Sequence, residues 1–299
     1  MKIIVTGSLG HISKPLTQEL VQKGHAVTVI SSHPERQKDI EALGATAAIG
    51  SVQDVPFLTS TFAGTDVVYT MIPPHDFFDH SFDLMAYYTA IGNNYAHAIT
   101  ESGIKRVIHL SSIGAHLAKG TGIILGHYAA EQILNKLTDV AITFMRPTSF
   151  YYNLYSLSGG IKATGRITSN YGADVKVAWV SPADIAADIA DEINTPLVGH
   201  KVRYVASEEL TCDEVAGILG AAIGKPDLKW VVIPDEQMLQ GMIAAGMNPQ
   251  VAAGLVEMNA STRSGALYED YYHNRPTLGK VKLKDFAKEF AAAYIALLT

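Results

Sequence analysis

Lys-Ile-Ile-Val-Thr-Gly-Ser-Leu-Gly-His-Ile-Ser, residues 2–13, sets an apolar run directly before Gly7, Gly10 and Ser13, and Pro15 and Leu16 open an amphipathic segment behind it. The order reads as strand, tight loop, helix. Such a loop aims free backbone N–H groups and the positive end of a helix dipole at one point, the arrangement that holds a dinucleotide pyrophosphate. The common fingerprint is G-x-G-x-x-G, whereas this chain has Gly7-x-x-Gly10-x-x-Ser13. Serine is small enough to replace the third glycine, whose task is close helix-to-strand packing. Position supports the reading, because the pattern follows the first strand of the chain and Val27–Ile30 supplies a second apolar strand after a helix over Lys14–Lys23.

Further short β-branched runs alternate with helical patterns: Thr46–Ile49, Val67–Ile72, Val107–Leu110 and Ala141–Met145. Pro34 opens one intervening helix and Gly44 ends it, Asp54 caps another, and Ser81 precedes a long one reaching Gly103. Strands joined by helical crossovers predict a parallel sheet. The fold class expected is α/β, a doubly wound parallel Rossmann sheet with a smaller, mainly helical C-terminal substrate lobe. Residues 1–150 would form the dinucleotide-binding domain and 151–299 the lobe, with 176–206 returning to the sheet domain.

After Arg146-Pro147 the texture changes to Phe150, Tyr151, Tyr152, Asn153 and Tyr155, then glycines, which suits irregular structure over the carboxyl ends of the strands, where such sheets bind ligands. A further strand at Lys176–Val180 precedes Ser181-Pro-Ala-Asp184, read as a capping box that accounts for Asp184. Thr211-Cys-Asp-Glu214 repeats that pattern. Met238, Met242, Met247 and Met258 recur at helical spacing and either wall an apolar pocket or fill the core of a helical lobe. Lys282–Leu298 closes the chain as an amphipathic helix.

In 299 residues, 48% hydrophobic and 17% charged content fits a sheet covered on both faces. A formal net charge of −6 without a basic cluster argues against a nucleic-acid partner. The lone Cys212 excludes an internal disulfide and a multi-cysteine metal site. The histidines are scattered without ligand spacing, so no metal is expected, and Asp76, Asp79 and Asp83 suit a helix N-terminus better than acid–base work. The opening apolar run is too short for a leader and passes straight into the glycine loop, and no run is long enough to span a bilayer. A soluble cytoplasmic protein is expected.

With these residues in hand, the chain resembles the NmrA-like branch of the atypical short-chain dehydrogenase/reductases, which includes NADPH-dependent quinone reductases and cofactor-sensing regulators. The resemblance spans nearly the whole chain. It rests on residues 5–10, on Glu-Ser-Gly-Ile-Lys-Arg-Val-Ile-His-Leu-Ser-Ser at 101–112, on Ala-Glu-Gln-Ile-Leu at 130–134, on Arg-Pro-Thr-Ser-Phe at 146–150 with Asn153, and on Val-Ser-Pro-Ala-Asp-Ile-Ala at 180–186. It implies that Gly7, Leu9, Gly10, His11 and Ile12 line the pyrophosphate, and that Met71, Ile72 and Pro73 border the adenosine and nicotinamide ribose. The residues agree for the first group and are only permissive for the second, where two prolines end a strand. His75 and Phe78 fall near the mouth of such a site.

An acidic residue at the end of the second strand would grip the ribose hydroxyls of NAD and repel the extra phosphate of NADP. Ser31, Ser32 and His33 stand there instead, with Ser32 at the family's usual arginine position. Arg36, one helical step further, can approach a phosphate unless Glu35 beside it takes up its charge. NADP(H) is therefore favoured over NAD(H). The family's Tyr-x-x-x-Lys pair, in which the lysine lowers the pKa of a proton-donating tyrosine, corresponds here to Ile123 and His127.

That departure weakens a ketone-reductase reading and leaves quinone reduction, where hydride addition to an electron-poor acceptor needs only a modest proton donor. His127 and Ser112 are the candidate catalytic residues, with His127 also touching cofactor. Alternatively His127 is a helix-face histidine packed against the loop after Ser112, and Ser112 caps that loop. Phe150, Tyr151, Tyr152 and His75 are the candidates for binding a small-molecule acceptor. The competing expectation is a non-catalytic NAD(P)-sensing protein with a protein partner.

Overall fold

In the computed structural model, which describes residues 1–196 and 198–296, the opening apolar run is strand β1 (Lys2–Val5) and the segment behind the glycine loop is helix α1 (Ser13–Gln22). There follow β2 (Ala26–Ser31), α2 (Gln37–Ala42), β3 (Thr46–Ile49), α3 (Val55–Phe62), β4 (Val67–Met71), α4 (Leu84–Ser102), β5 (Arg106–Leu110), α5 (Leu125–Leu134) and β6 (Ala141–Pro147). Beyond them come β7 (Ser149–Phe150), α6 (Ser158–Thr164), β8 (Ile167–Ser169), β9 (Lys176–Val180), α7 (Pro182–Ile193), β10 (His200–Val205) and β11 (Glu208–Thr211). The chain closes with α8 (Cys212–Ala222), β12 (Trp230–Val232), α9 (Asp235–Ala244), α10 (Pro249–Ser264), α11 (Glu269–His273) and α12 (Leu283–Ala296).

Among the described residues, seven strands form one parallel sheet in the order β10-β6-β5-β4-β1-β2-β3. This is the doubly wound Rossmann-like α/β fold. Alternation along the strands sorts the core onto two faces. Ile3, Val5, Val29, Tyr69 and Ile108 meet Leu16 and Leu20 of α1 and Ile185 and Ile189 of α7 on one face. Ile4, Val68, Val107, Ile142 and Phe144 meet α3, α4 and α5 on the other. The chain runs outward from β1 through β2 to β3, then restarts at β4 on the other side of β1. The loops after β1 and β4 therefore diverge, and the crevice between them is the ligand position of such sheets.

One feature differs from the sequence expectations. Lys176–Val180 does not return to the main sheet; it is β9, central in a three-stranded sheet with β11 antiparallel and β7 parallel to it. The elements that do return are α7, packed on α1, and the charged strand β10, paired with β6. The long helix follows Ser81 and ends at Gly103 as expected, its cap being Asp83, whose carboxylate accepts from Ala86 N. The closing helix ends at Ala296 in the described part, and Leu297 and Leu298 of the expected span lie outside the described residues. A third core gathers Tyr151, Trp179, Tyr268, Tyr271, Phe286 and Phe290 in the C-terminal lobe. No helix among the described residues is long and apolar enough to cross a membrane.

Candidate functional site

The glycine loop is held open by backbone conformation. Gly7 has φ +86° and Ser8 φ +53°. A Cβ on Gly7 would stand 2.6 Å from Ser13 Oγ and 3.2 Å from the Met71 side chain, and one on Gly10 would stand 3.1 Å from the Gly7 carbonyl. Ser13 Oγ donates to Thr6 O at 2.8 Å, so the serine in the third glycine's place ties the helix to the strand. No side chain caps α1 among the described residues. Lys14 N donates to Gly10 O and Gly10 N to Gly7 O, so the amides left for an outside acceptor are those of Leu9, His11, Ile12 and Ser13, and the narrow cradle they form fits a pyrophosphate.

At the end of β2, Ser31 is buried and bonded to Ser8 Oγ at 2.9 Å, while Ser32, His33 and Arg36 are exposed. Glu35 pairs with His33 at 3.0 Å, leaving Arg36 without an ion pair among the described residues. After β4, Met71 is held at both backbone groups, its N–H donating to Thr6 Oγ1 at 2.9 Å and its carbonyl accepting from Tyr95 OH at 2.7 Å. Leu9 is half-buried against the core on the α1 side. Ile12 and Ile72 turn their side chains into opposite cores, so only their backbone can serve a ligand. Pro73 O accepts from Tyr87 OH at 3.1 Å.

His75 is stacked on Phe82 at 4.1 Å and lies edge-on to Tyr87, in a loop fastened by Asn248, whose amide donates to Asp79 O and Phe82 O. Asp76, Asp79 and Asp83 accept from nearby backbone N–H groups. Tyr152 stacks on His11 at 4.8 Å and leans on Phe150 at 5.0 Å, which covers the glycine loop with an aromatic lid. Tyr151 is a correction: it is buried, stacked on Phe286 at 5.7 Å with its hydroxyl donating to Val281 O at 3.3 Å, and belongs to the lobe core. Asp184 is another. Its carboxylate does not close a capping box but accepts from Ser207 Oγ at 2.6 Å and from the N–H groups of Lys280 and Val281. Thr211 and Glu214 do form their capping box.

His127 lies in the first turn of α5, with its ring 5.0 Å from Tyr88 of α4 and nearly perpendicular to it. The two helices close tightly there, since a Cβ on Gly126 would stand 2.6 Å from the Tyr88 ring. Burial pushes His127 down to about 4 and Tyr88 up to about 12, so both are neutral near pH 7. His127 Nδ1 is buried without a partner. Ser112 is half-buried just past β5, and its carbonyl accepts from Ala115 N at 3.2 Å.

Sequence reasoning missed Tyr88 and the anchor beneath α5. One turn from His127, Glu131 accepts from Arg146 Nε at 3.0 Å and Nη2 at 2.6 Å, and from Ser111 Oγ at 2.5 Å. A glutamate on a helix's apolar stripe opposite an arginine inside a strand was the available signal.

A cavity of about 370 Å³ lies where the starts of α4 and α5 meet α10, lined by Phe82, Met85, Ile123, Leu125, Val251 and Gly254 among others. The recurrent methionines do not line it, and Met258 packs on the lobe core. A second cavity of about 520 Å³, lined by Arg203, Tyr204 and Arg275 among others, is at the β10 edge, away from the glycine loop. Among the described residues no group of three or more His, Cys, Asp or Glu side chains is placed to hold a metal.

A family model described as the NmrA-like family matches residues 1–282. The chain is 24% identical over 269 residues to the (4-alkanoyl-5-oxo-2,5-dihydrofuran-3-yl)methyl phosphate reductase of Streptomyces griseus, covering 88% of each. Similar solved structures include an NADPH-dependent quinone oxidoreductase from Escherichia coli complexed with NADPH, with TM-score 0.79, 18% identity and coverage of 96% of this chain and 99% of that one. A triphenylmethane reductase from Citrobacter sp. has TM-score 0.76 and 20% identity, covering 98% of this chain and 100% of the other.

Proposed function

The chain belongs to the NmrA-like family, and from that premise we propose that it is an NADPH-dependent reductase passing hydride to a small, apolar, quinone-like acceptor. The carrying observation is the Tyr88–His127 pair, two neutral hydrogen-bond donors packed together, His127 at the position that corresponds to the family's lysine and Tyr88 on the facing helix α4. Neither has a cation beside it to make it a strong acid, which suits an acceptor whose reduced form needs only a weak proton donor.

When bound, NADPH supplies the hydride. The amides of Leu9, His11 and Ile12 would hold the pyrophosphate, Arg36 and Ser32 would receive the additional phosphate, and the Tyr152–His11 stack would shield the loop from water. His127, with Ser112 nearby, hydrogen-bonds the acceptor oxygen that gains negative charge, and the cavity at the starts of α4 and α5 takes the apolar body. The similar proteins include a phosphate-ester reductase, a quinone oxidoreductase and a triphenylmethane reductase beside sugar-nucleotide epimerases of the same fold, and two of the similar solved structures carry NADPH or NADP(H). The reducing cytoplasm suits such a protein with one buried, unpaired cysteine.

The test follows NADPH oxidation with benzoquinone, naphthoquinone and menadione, alongside fluorescence titration of NADPH and NADH. We expect turnover, preference for NADPH, and loss of that preference by roughly tenfold in Arg36→Ala, about one charge-assisted contact. Stronger binding of NADH by the unmodified protein would defeat the cofactor assignment. A second reading, a cofactor sensor without turnover, is favoured by Ile123 standing where the tyrosine is expected. No acceptor consumption together with a protein partner captured only in the presence of NADPH would select it.

A further inference from the structure

His109 is fully buried in β5, and its imidazole has no role in the site described so far. It is paired in register with Thr70 of β4, and Thr70 Oγ1 lies 2.9 Å from His109 Nδ1. Thr70 is fully buried too, and no other partner engages its hydroxyl. Two arrangements of that bond are possible. If His109 Nδ1–H donated, the hydroxyl proton and the Nε2 lone pair would both be buried unpaired. If the hydroxyl donates, a single group is left over, the His109 Nε2–H. The second arrangement strands fewer groups, and leaving a buried polar group unpaired is costly.

The leftover donor faces a leftover acceptor. His109 Nε2 and His127 Nδ1 are both buried without a partner. The fold places them in one layer. His109 lies two residues beyond Val107 on the strand face that packs against α5, and His127 lies one turn before Ala130, which packs on that face. Because α5 runs antiparallel to β5, its first turn covers the carboxyl end of the strand, where His109 sits. Phe144 lies edge-on to His109 and Tyr88 edge-on to His127, and among the described residues the Tyr88 hydroxyl makes no hydrogen bond to either nitrogen.

We propose that Thr70 and His109 are positioning residues that fix the tautomer of His127, so that it presents Nε2–H, and not a lone pair, to the acceptor. The order is Thr70 O–H to His109 Nδ1, then His109 Nε2–H through one bridging water to His127 Nδ1. A ring that accepts at Nδ1 carries its proton on Nε2, the nitrogen outside the buried layer. Two buried residues would thus give a neutral histidine the donor orientation that the usual pair obtains from a lysine-assisted tyrosine. The inference rests on the reading of His127 as the group facing the acceptor.

The experiment uses the full chain with nitrogen-labelled histidine, since protonated and lone-pair ring nitrogens resonate in separate regions and His127→Gln identifies the signal. The wild-type ring should be the Nε2–H tautomer before any cofactor is added. Thr70→Val, which keeps the β-branched shape and removes the hydroxyl, should convert it to a mixture and lower kcat with menadione about tenfold, leaving the NADPH Kd unchanged. Thr70→Ser should restore both readouts. His109→Phe, which removes the donor, should repeat the loss if Thr70→Val folds poorly. A wild-type Nδ1–H tautomer, or an Nε2–H tautomer indifferent to Thr70→Val and His109→Phe, overturns the proposal. Full turnover by His127→Ala would instead remove His127 from the reaction, while the spectra still decide what sets its tautomer.

Discussion

Single residues carry the acid sensitivity expected of this protein. Burial pushes His109 down to about 3 and His127 to about 4, from an ordinary value near 6.5. Below pH 6.5 the unfolded chain therefore binds protons that the folded one refuses, and stability falls as the pH falls toward 4. Each ring contributes a loss on the order of 2–3 kcal/mol by pH 4. His25 and His116 shift the same way, so the test is comparative. Urea unfolding between pH 7 and 5 should show a shallower loss in His109→Gln than in the wild type; parallel curves would mean that His109 does not titrate as its burial requires. The glycine loop and its Ser13 substitution were legible at this scale, because a residue with φ +86° against a helix has few alternatives to glycine. The direction of neighbouring aromatics was not. Tyr151 and Tyr152 enter a 3₁₀ turn, where successive side chains diverge by about 120°, and one packs on Phe286 while the other covers His11.

Helix α5 shows how an element converts buried charge into position. Glu131 is 2% exposed and its side chain meets Arg146 through two hydrogen bonds, while Tyr204 and Asp270 reach the same guanidinium only at 3.3 and 3.5 Å. Those contacts fix the rotation of the helix, and His127 lies four residues earlier on the same stripe. Glu131→Gln leaves the guanidinium uncompensated and should cost about 3–5 kcal/mol in denaturant unfolding, with kcat falling as well. Adding Arg146→Met should return part of the stability without the activity, and a single-variant loss below about 1 kcal/mol would show that the pair is not the anchor. The alternation of strands and helices was readable from apolar periodicity, but sheet membership was not. The strand Lys176–Val180 is apolar yet pairs in the small sheet. β10 was passed over because Lys201 and Arg203 interrupt it, and both charges pair with Glu192 of α7 at the edge of the main sheet.

At the scale of the molecule, the lobe is tied to the sheet by contacts that no local pattern announces. Ser-Pro-Ala-Asp reads as a capping sequence because its spacing is right, yet the Asp184 carboxylate is spent on N–H groups 96 and 97 residues away and on Ser207. Gly279 N donates to Ala206 O at 2.8 Å and Lys282 Nζ to Ser207 O at 2.7 Å, so the strap before α12 is fastened along its length to the chain between β10 and β11. From there the linkage runs back toward the cleft: α12 carries Phe286, Phe286 holds Tyr151, and the next residue is the Tyr152 that covers His11. Asp184→Ala would leave the buried Ser207 hydroxyl and the partly buried N–H groups of Lys280 and Val281 without their acceptor, a loss of about 1–3 kcal/mol. Hydrogen exchange at Lys280 and Val281 should accelerate, trypsin should cut near Lys280 and Lys282 sooner, and NADPH should bind a few-fold more weakly because its lid is less firmly seated. Unchanged exchange would mean that the strap is held by α12 alone, whereas faster exchange with unaltered NADPH affinity would separate the clamp from the cleft.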